Sequence, residues 1–206
     1  MTIRAVLFDL GGVLFRSVNQ GQRSFWEKRL GVSGRQIAEA VWLSPVGRRA
    51  LIGQATEEEV WEEVGRQFSL NSDELLRLES DFRDESTLDV DLLSYIRALR
   101  HEYQTGVISD AFLSARSRLQ SIIPPDTFDI MIFSAEEGIV KPNPIIFQRA
   151  LERLGVSPQE TIFVDDLPQN VAGASSLGIH AIQFSNSMQV QQEIKSLLIE
   201  GKEAAG

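Results

Sequence analysis

The chain has no cysteine among its 206 residues. Disulfide cross-links, thiolate metal sites and cysteine nucleophiles are therefore all excluded. Cationic side chains are few: 20 Lys and Arg face 29 Asp and Glu, for a formal charge of -9 and a sequence pI ≈ 4.8. An acidic surface repels the phosphate backbone that supplies most non-specific affinity, so nucleic acid is not expected as a partner. A small anionic ligand stays possible, because a local cation inverts the field inside a pocket. Long hydrophobic runs are missing too. Nothing approaches the about 20 apolar residues of a membrane span. The N-terminal apolar run meets Asp9 too early for a signal peptide. The expectation is a cytoplasmic protein without a membrane partner, either a monomer or a homodimer. Only two histidines occur; His101 and His180 fall at a helix end and a strand start, where structural roles are expected.

What is present is an ordinary globular composition, 43% hydrophobic and 24% charged, enough for a sizeable core. Residues 5–10 form a short aliphatic run ending in Asp9, then Gly11-Gly12, which reads as a buried strand opening into a tight turn. Residues 17–88 are helical in rhythm: 22–30, 34–43, a capping-box spacing of Thr56 with Glu59 ahead of Val60, Trp61, Val64 and Phe68, then 71–82. From residue 89 short apolar strands (105–109, 130–133, 161–164, 181–184) alternate with helical stretches (91–101, 113–123, 143–154, 167–177, 190–199). Such alternation implies βαβ units and a parallel sheet. The predicted architecture is an α/β, Rossmann-like core from 1–16 and 89–206, with a small helical cap, 17–88, inserted after the first strand. The tail 200–206 is expected to fray.

Ligands of open parallel sheets bind beyond the carboxyl ends of the strands. Those ends carry Asp9, then Ser109 with Asp110, then Asp165 with Asp166, and Lys141 follows the third strand in the loop 138–144. Carboxylates crowded there repel one another and take up protons unless a cation joins them. Oxygen-only donors suit Mg2+ better than zinc. One free carboxylate oxygen could then attack phosphorus, with Lys141 and the Ser109 hydroxyl on the phosphoryl oxygens. Alone, each of these residues has an ordinary reading as a turn, cap or surface group. The ordered set is what carries weight.

That set, Phe8-Asp9-Leu10-Gly11-Gly12-Val13-Leu14, Ile108-Ser109-Asp110, Lys141-Pro142-Asn143-Pro144 and Phe163-Val164-Asp165-Asp166 with Asn170, resembles the haloacid dehalogenase superfamily, phosphatase-like branch. Order and position match across nearly the whole chain, including a helical cap after the first motif. The resemblance implies a magnesium-dependent phosphohydrolase acting on a small phosphorylated metabolite, a sugar phosphate or similar monoester. Asp9 would be the nucleophile forming an aspartyl-phosphate. Asp9, the Gly11 carbonyl and Asp166 would ligate Mg2+, with Asp165 as a direct or outer carboxylate and Asn170 orienting that loop. Ser109, Asp110, Gly12 and Lys141 would bind phosphate. One departure stands out. Gly11 occupies the position where phosphatases of the family carry a second Asp as general acid; Asp110, a cap Glu or water would have to replace it.

Substrate choice is expected in the cap. Arg48 and Arg49, beside Pro45 and Gly47 in a less regular stretch, are the candidate contacts, while Trp26 and Trp61 read as cap core. Lys28 reads as part of a solvated face. A metal-independent dehalogenase is the first rival, but the adjacent acids Asp165-Asp166 point to a metal. A receiver domain would place its acidic pair first and its Lys last, without the insert. A catalytically weak, binding-only protein is the remaining alternative.

Overall fold

The computed structural model describes residues 2–17, 20–84 and 86–203. The chain opens with β1 (Ala5–Phe8) and a short β2 (Phe15–Ser17). Five helices follow: α1 (Gln20–Leu30), α2 (Gly34–Trp42), α3 (Pro45–Ala50), α4 (Glu57–Phe68) and α5 (Ser72–Asp84). Then come β3 (Ser86–Leu88), α6 (Val90–Leu99), β4 (Gln104–Ser109), α7 (Ala115–Ile122), β5 (Ile130–Phe133) and α8 (Ser134–Glu137). The chain continues through α9 (Pro144–Leu154), β6 (Thr161–Asp165), α10 (Pro168–Ser176), β7 (His180–Gln183) and α11 (Ser187–Glu203). Helix therefore persists to Glu203, where fraying was expected from residue 200; packing of Val190 and Ile194 on the core anchors α11. The rest of that tail, 204–206, lies outside the described residues.

The main sheet is parallel, in the order β5-β4-β1-β6-β7. Alternation along β1 divides its side chains between two cores. Val6 and Phe8 join Leu92 and Ile96 of α6, Leu119 of α7 and Val190 of α11. Ala5 and Leu7 join Ile146, Phe147 and Leu151 of α9 and Ala174 of α10. Both faces are covered, which is why β1 and β6 read as unbroken apolar runs. Each of the larger side chains contributes about 1.5–3 kcal/mol by leaving water.

The helices between β2 and β3 have a core of their own, built on Trp26, Ile37, Val41, Val60, Trp61, Val64 and Leu78. The capping box at α4 is formed: Thr56 Oγ1 accepts the Glu59 N–H at 3.1 Å and the Glu59 carboxylate accepts the Thr56 N–H at 2.7 Å. Two features were not expected. The stretch around Arg48 and Arg49 is the helix α3, started by Ser44 as N-cap and Pro45 in its first turn, a pattern that favours helix initiation. The insert is also entered and left through an antiparallel pair, Arg16 opposite Thr87. Beside it the Arg16 guanidinium meets Asp89 at 2.6 Å. Asp89 also caps α6 by accepting the Leu92 N–H at 2.9 Å, and it accepts the Ser187 hydroxyl.

Candidate active site

The carboxyl ends of β1, β4 and β6 lie side by side at the centre of the sheet, so Asp9, Ser109 and Asp165 are neighbours by topology alone. Lys141 reaches them from the loop after α8 and is only 5% exposed. Its ammonium lies 2.6 Å from Asp165 Oδ2, 3.0 Å from Asp9 Oδ1 and 3.0 Å from the Ile108 carbonyl oxygen. Burial opposes the charge on Lys141, but the carboxylates of Asp9, Asp165 and Asp110 outweigh it, and the pKa is raised. The ammonium stays charged.

The two adjacent acids at the end of β6 are used differently. Asp165 is fully buried. It accepts hydrogen bonds from Lys141 Nζ, from the Leu167 N–H at 2.9 Å and from Asn170 Nδ2 at 3.1 Å to each oxygen. Its lone pairs are thus engaged within the protein. Asp166 instead stands over Gly12, where a Cβ would come within 2.4 Å of its carboxylate; Gly12 also has φ +76, so a side chain is excluded twice over. Gly11 lies exposed in the same turn, and a Cβ there would meet open space. Neither crowding nor a positive φ explains the absence of a side chain at Gly11.

Asp9, Asp165 and Asp166 each bring a carboxylate oxygen into a cluster whose atoms lie within 4.8 Å of one another. Burial raises the pKa of Asp9, with the Asp165 charge adding to it and Lys141 opposing. Burial together with Asp9 and Asp165 pushes Asp166 up to about 6. Asp9 Oδ1 is buried without a hydrogen-bond partner; Lys141 offers it charge rather than an aligned N–H. Under-compensated negative charge and an all-oxygen donor set fit a hard divalent cation such as Mg2+. Asp9 and Asp166 have oxygens to offer it, whereas Asp165 suits the outer role. Asp110 is aligned by accepting the Lys141 backbone N–H at 2.9 Å, and burial pushes its pKa up to about 6.

Arg48 and Arg49 are not drawn into this cluster. Arg48 donates to the Leu43 carbonyl at 3.0 Å and Arg49 to the Gln54 carbonyl at 3.1 Å, with Glu59 at 3.9 Å. What the insert brings to the core is different. Phe112, three residues past Ser109, is buried in the insert's core and stacks on Trp42 at 4.5 Å. Glu57, at the start of α4, accepts the Ser114 hydroxyl. Gly53 (φ +72) lies against the Ala135 carbonyl, which a Cβ would approach to 2.3 Å. The apolar Ala-Phe-Leu run after Asp110 was the available signal for the first contact; nothing in the sequence marks the other two.

A family model described as haloacid dehalogenase-like hydrolase matches residues 3–178. The chain belongs to the haloacid dehalogenase-like hydrolases. Among curated relatives, mouse Acyl-CoA dehydrogenase family member 10 is 34% identical over 95% of the chain, which spans only 19% of that protein. Sesquiterpene phosphatase astK of Aspergillus oryzae is 27% identical, covering 96% of this chain and 97% of that one. The fold is shared with a HAD-like family hydrolase from Porphyromonas gingivalis, at a TM-score of 0.76 and 28% identity, covering 96% and 98% of the two chains. Within the haloacid dehalogenase-like hydrolases this chain has a parallel core with a helical insert between β2 and β3.

Proposed function

We propose that the protein is a magnesium-dependent phosphatase that hydrolyses a small phosphomonoester through an aspartyl-phosphate on Asp9. The observation that carries this is the buried Asp9 carboxylate, set between the Lys141 ammonium at 3.0 Å and a second acid, Asp166, placed to share a cation with it. Full-length similarity to a named phosphatase supports the same reading. Mg2+ bound by Asp9 and Asp166, with the Gly11 carbonyl nearby, would neutralise phosphate charge and hold the substrate in line.

The chain's own residues do the rest. Lys141 opposes the burial that raises the Asp9 pKa and, with the cation, would hold the carboxylate ionised. One Asp9 oxygen then forms a bond to phosphorus while the bond from phosphorus to the ester oxygen breaks. The Ser109 hydroxyl holds a phosphoryl oxygen; Gly12, expected to share that role, has its N–H committed to the Phe15 carbonyl at 2.9 Å and serves by leaving room for Asp166. The departing alkoxide takes a proton from Asp110, which replaces the acid missing at Gly11. Water, giving a proton to the Asp110 carboxylate, then forms the new bond to phosphorus as the acyl phosphate bond to Asp9 breaks. This releases phosphate and restores both the Asp9 carboxylate and the protonated Asp110. Asp165 and Asn170 position Lys141 throughout.

The test is phosphate release from a panel of phosphorylated metabolites, with magnesium or with EDTA, beside Asp9→Asn. Turnover should need the metal and fall at least about 10⁴-fold in the variant. A folded protein that binds magnesium but releases no phosphate would favour the binding-only alternative.

A further inference from the structure

Resting on that reading, we infer that the organic part of the substrate is apolar, an alkyl or aryl phosphate rather than a sugar phosphate. Three of the four loops that present the reacting groups, all but the one that carries Lys141, have few polar side chains close to those groups. After Asp9 come Leu10-Gly11-Gly12-Val13-Leu14, after Asp110 come Ala111-Phe112-Leu113, and after Asp166 come Leu167-Pro168. The strands β4 and β6 flank β1, so the loops that carry Leu113 and Leu167 leave the sheet on either side of the Asp9 loop. Both are exposed, at 55% and 42%, although burying an isoleucine- or leucine-sized side chain is favourable. Apolar groups left open beside a catalytic carboxylate are suited to be covered by substrate.

Among the described residues, most polar groups that border these loops are already engaged, with Gln169, exposed just beyond Pro168, the exception. Ser114 donates to Glu57, Asn143 caps α9 by accepting the Ile145 N–H at 3.0 Å, and Arg116 pairs with Glu136 at 2.6 Å. In the insert, Arg48 and Arg49 donate to carbonyls of their own turns, and besides Glu57 on Ser114 the surface it lays on the Asp110 loop is the Trp42 ring on Phe112. A sugar enclosed here would lose hydration at several hydroxyls without gaining partners, at about tenfold or more in affinity for each. An alkyl or aryl group loses nothing and gains contact area.

The experiment compares kcat/KM, with magnesium, for ethyl, butyl, hexyl and phenyl phosphate against glycerol phosphate and hexose phosphates, with p-nitrophenyl and acetyl phosphate as activated controls. The expected result is a rise of about fourfold per enclosed methylene from ethyl to hexyl, with hexyl and phenyl phosphate above every sugar phosphate. Preference for a sugar phosphate would overturn the substrate class and leave the phosphatase standing. Release from none of the esters, activated controls included, by a protein with intact circular dichroism would overturn the phosphatase reading itself and this inference with it. Leu113→Asn and Leu167→Asn, both at exposed positions, should lower the ratio of hexyl to ethyl phosphate kcat/KM by about tenfold. An unchanged ratio in both variants would remove these leucines as the wall and overturn the inference.

Discussion

Charge is handled in opposite ways by the helical insert and by the carboxyl edge of the sheet. In the insert, ion pairs such as Arg35–Glu39 at 2.8 Å and Arg66–Glu63 at 2.8 Å lie in solvent, where water screens them and each contributes at most about 1 kcal/mol. At the sheet edge, Lys141, Asp9 and Asp165 form the same kind of contact with almost no exposure. There both partners have left water, and the pair is worth keeping only while every member is present. Stability explains the insert's charges poorly and chemistry not at all. The buried trio makes sense as a site whose cost is met by the rest of the core.

The widest separation between the two regions should come from Lys141→Met. It leaves Asp9 buried without its ammonium and should cost about 3–5 kcal/mol by urea unfolding, besides abolishing turnover. Asp9 already has a raised pKa, and losing Lys141 raises it further. A raised acid is favoured when protonated, so stability tied to it is present at low pH and lost as pH rises. The deficit should therefore shrink at pH 5 relative to pH 8; an equal deficit at both would show that the charge is not its cause.

Asp110→Asn comes next. With a pKa of about 6, Asp110 holds its proton below that value and gives up acid function as pH climbs through it. Replacing it should lower kcat by about 10²-fold and flatten that limb of the pH profile. Identical kinetics would eliminate Asp110 as the proton donor.

A smaller effect is expected at the junction of the two regions. Burial alone would raise the pKa of Asp89, but Ser187, the Leu92 N–H and Arg16 together hold it below the ordinary carboxylate range. Its contribution is thus complete above about pH 4 and disappears as pH falls through the lowered value. Asp89→Asn should cost about 1–2 kcal/mol at pH 7, and the two unfolding curves should converge in acid. The smallest change is Arg35→Ala, expected within about 0.5 kcal/mol of the parent; a loss above 2 kcal/mol would erase the contrast between insert and core.

Much of the fold was legible because each parallel strand is covered on both faces and so reads as an unbroken apolar run beside amphipathic helices. The α3 helix was missed although Ser44-Pro45 announces it, since six residues offer too little periodicity to stand out. The β2–β3 pair was missed because three-residue strands carry no alternation to read. The convergence of Asp9, Ser109, Lys141, Asp165 and Asp166 followed from strand-end positions in a parallel sheet.

The sequence by itself determined the order of the strands' terminal groups and the chemistry of an oxygen-only, cysteine-free site, because residue type and strand-end position are local properties. Tertiary structure decided which contacts set the two acids at the end of β6 apart. Asp165 is consumed by Lys141, Asn170 and the Leu167 N–H, while Asp166 is left over Gly12. It also turned Arg48 and Arg49 back on their own backbone and drew Phe112 from the catalytic loop onto Trp42. Hydrogen-bond saturation and burial depend on neighbours brought in from distant parts of the chain, and no local pattern encodes them.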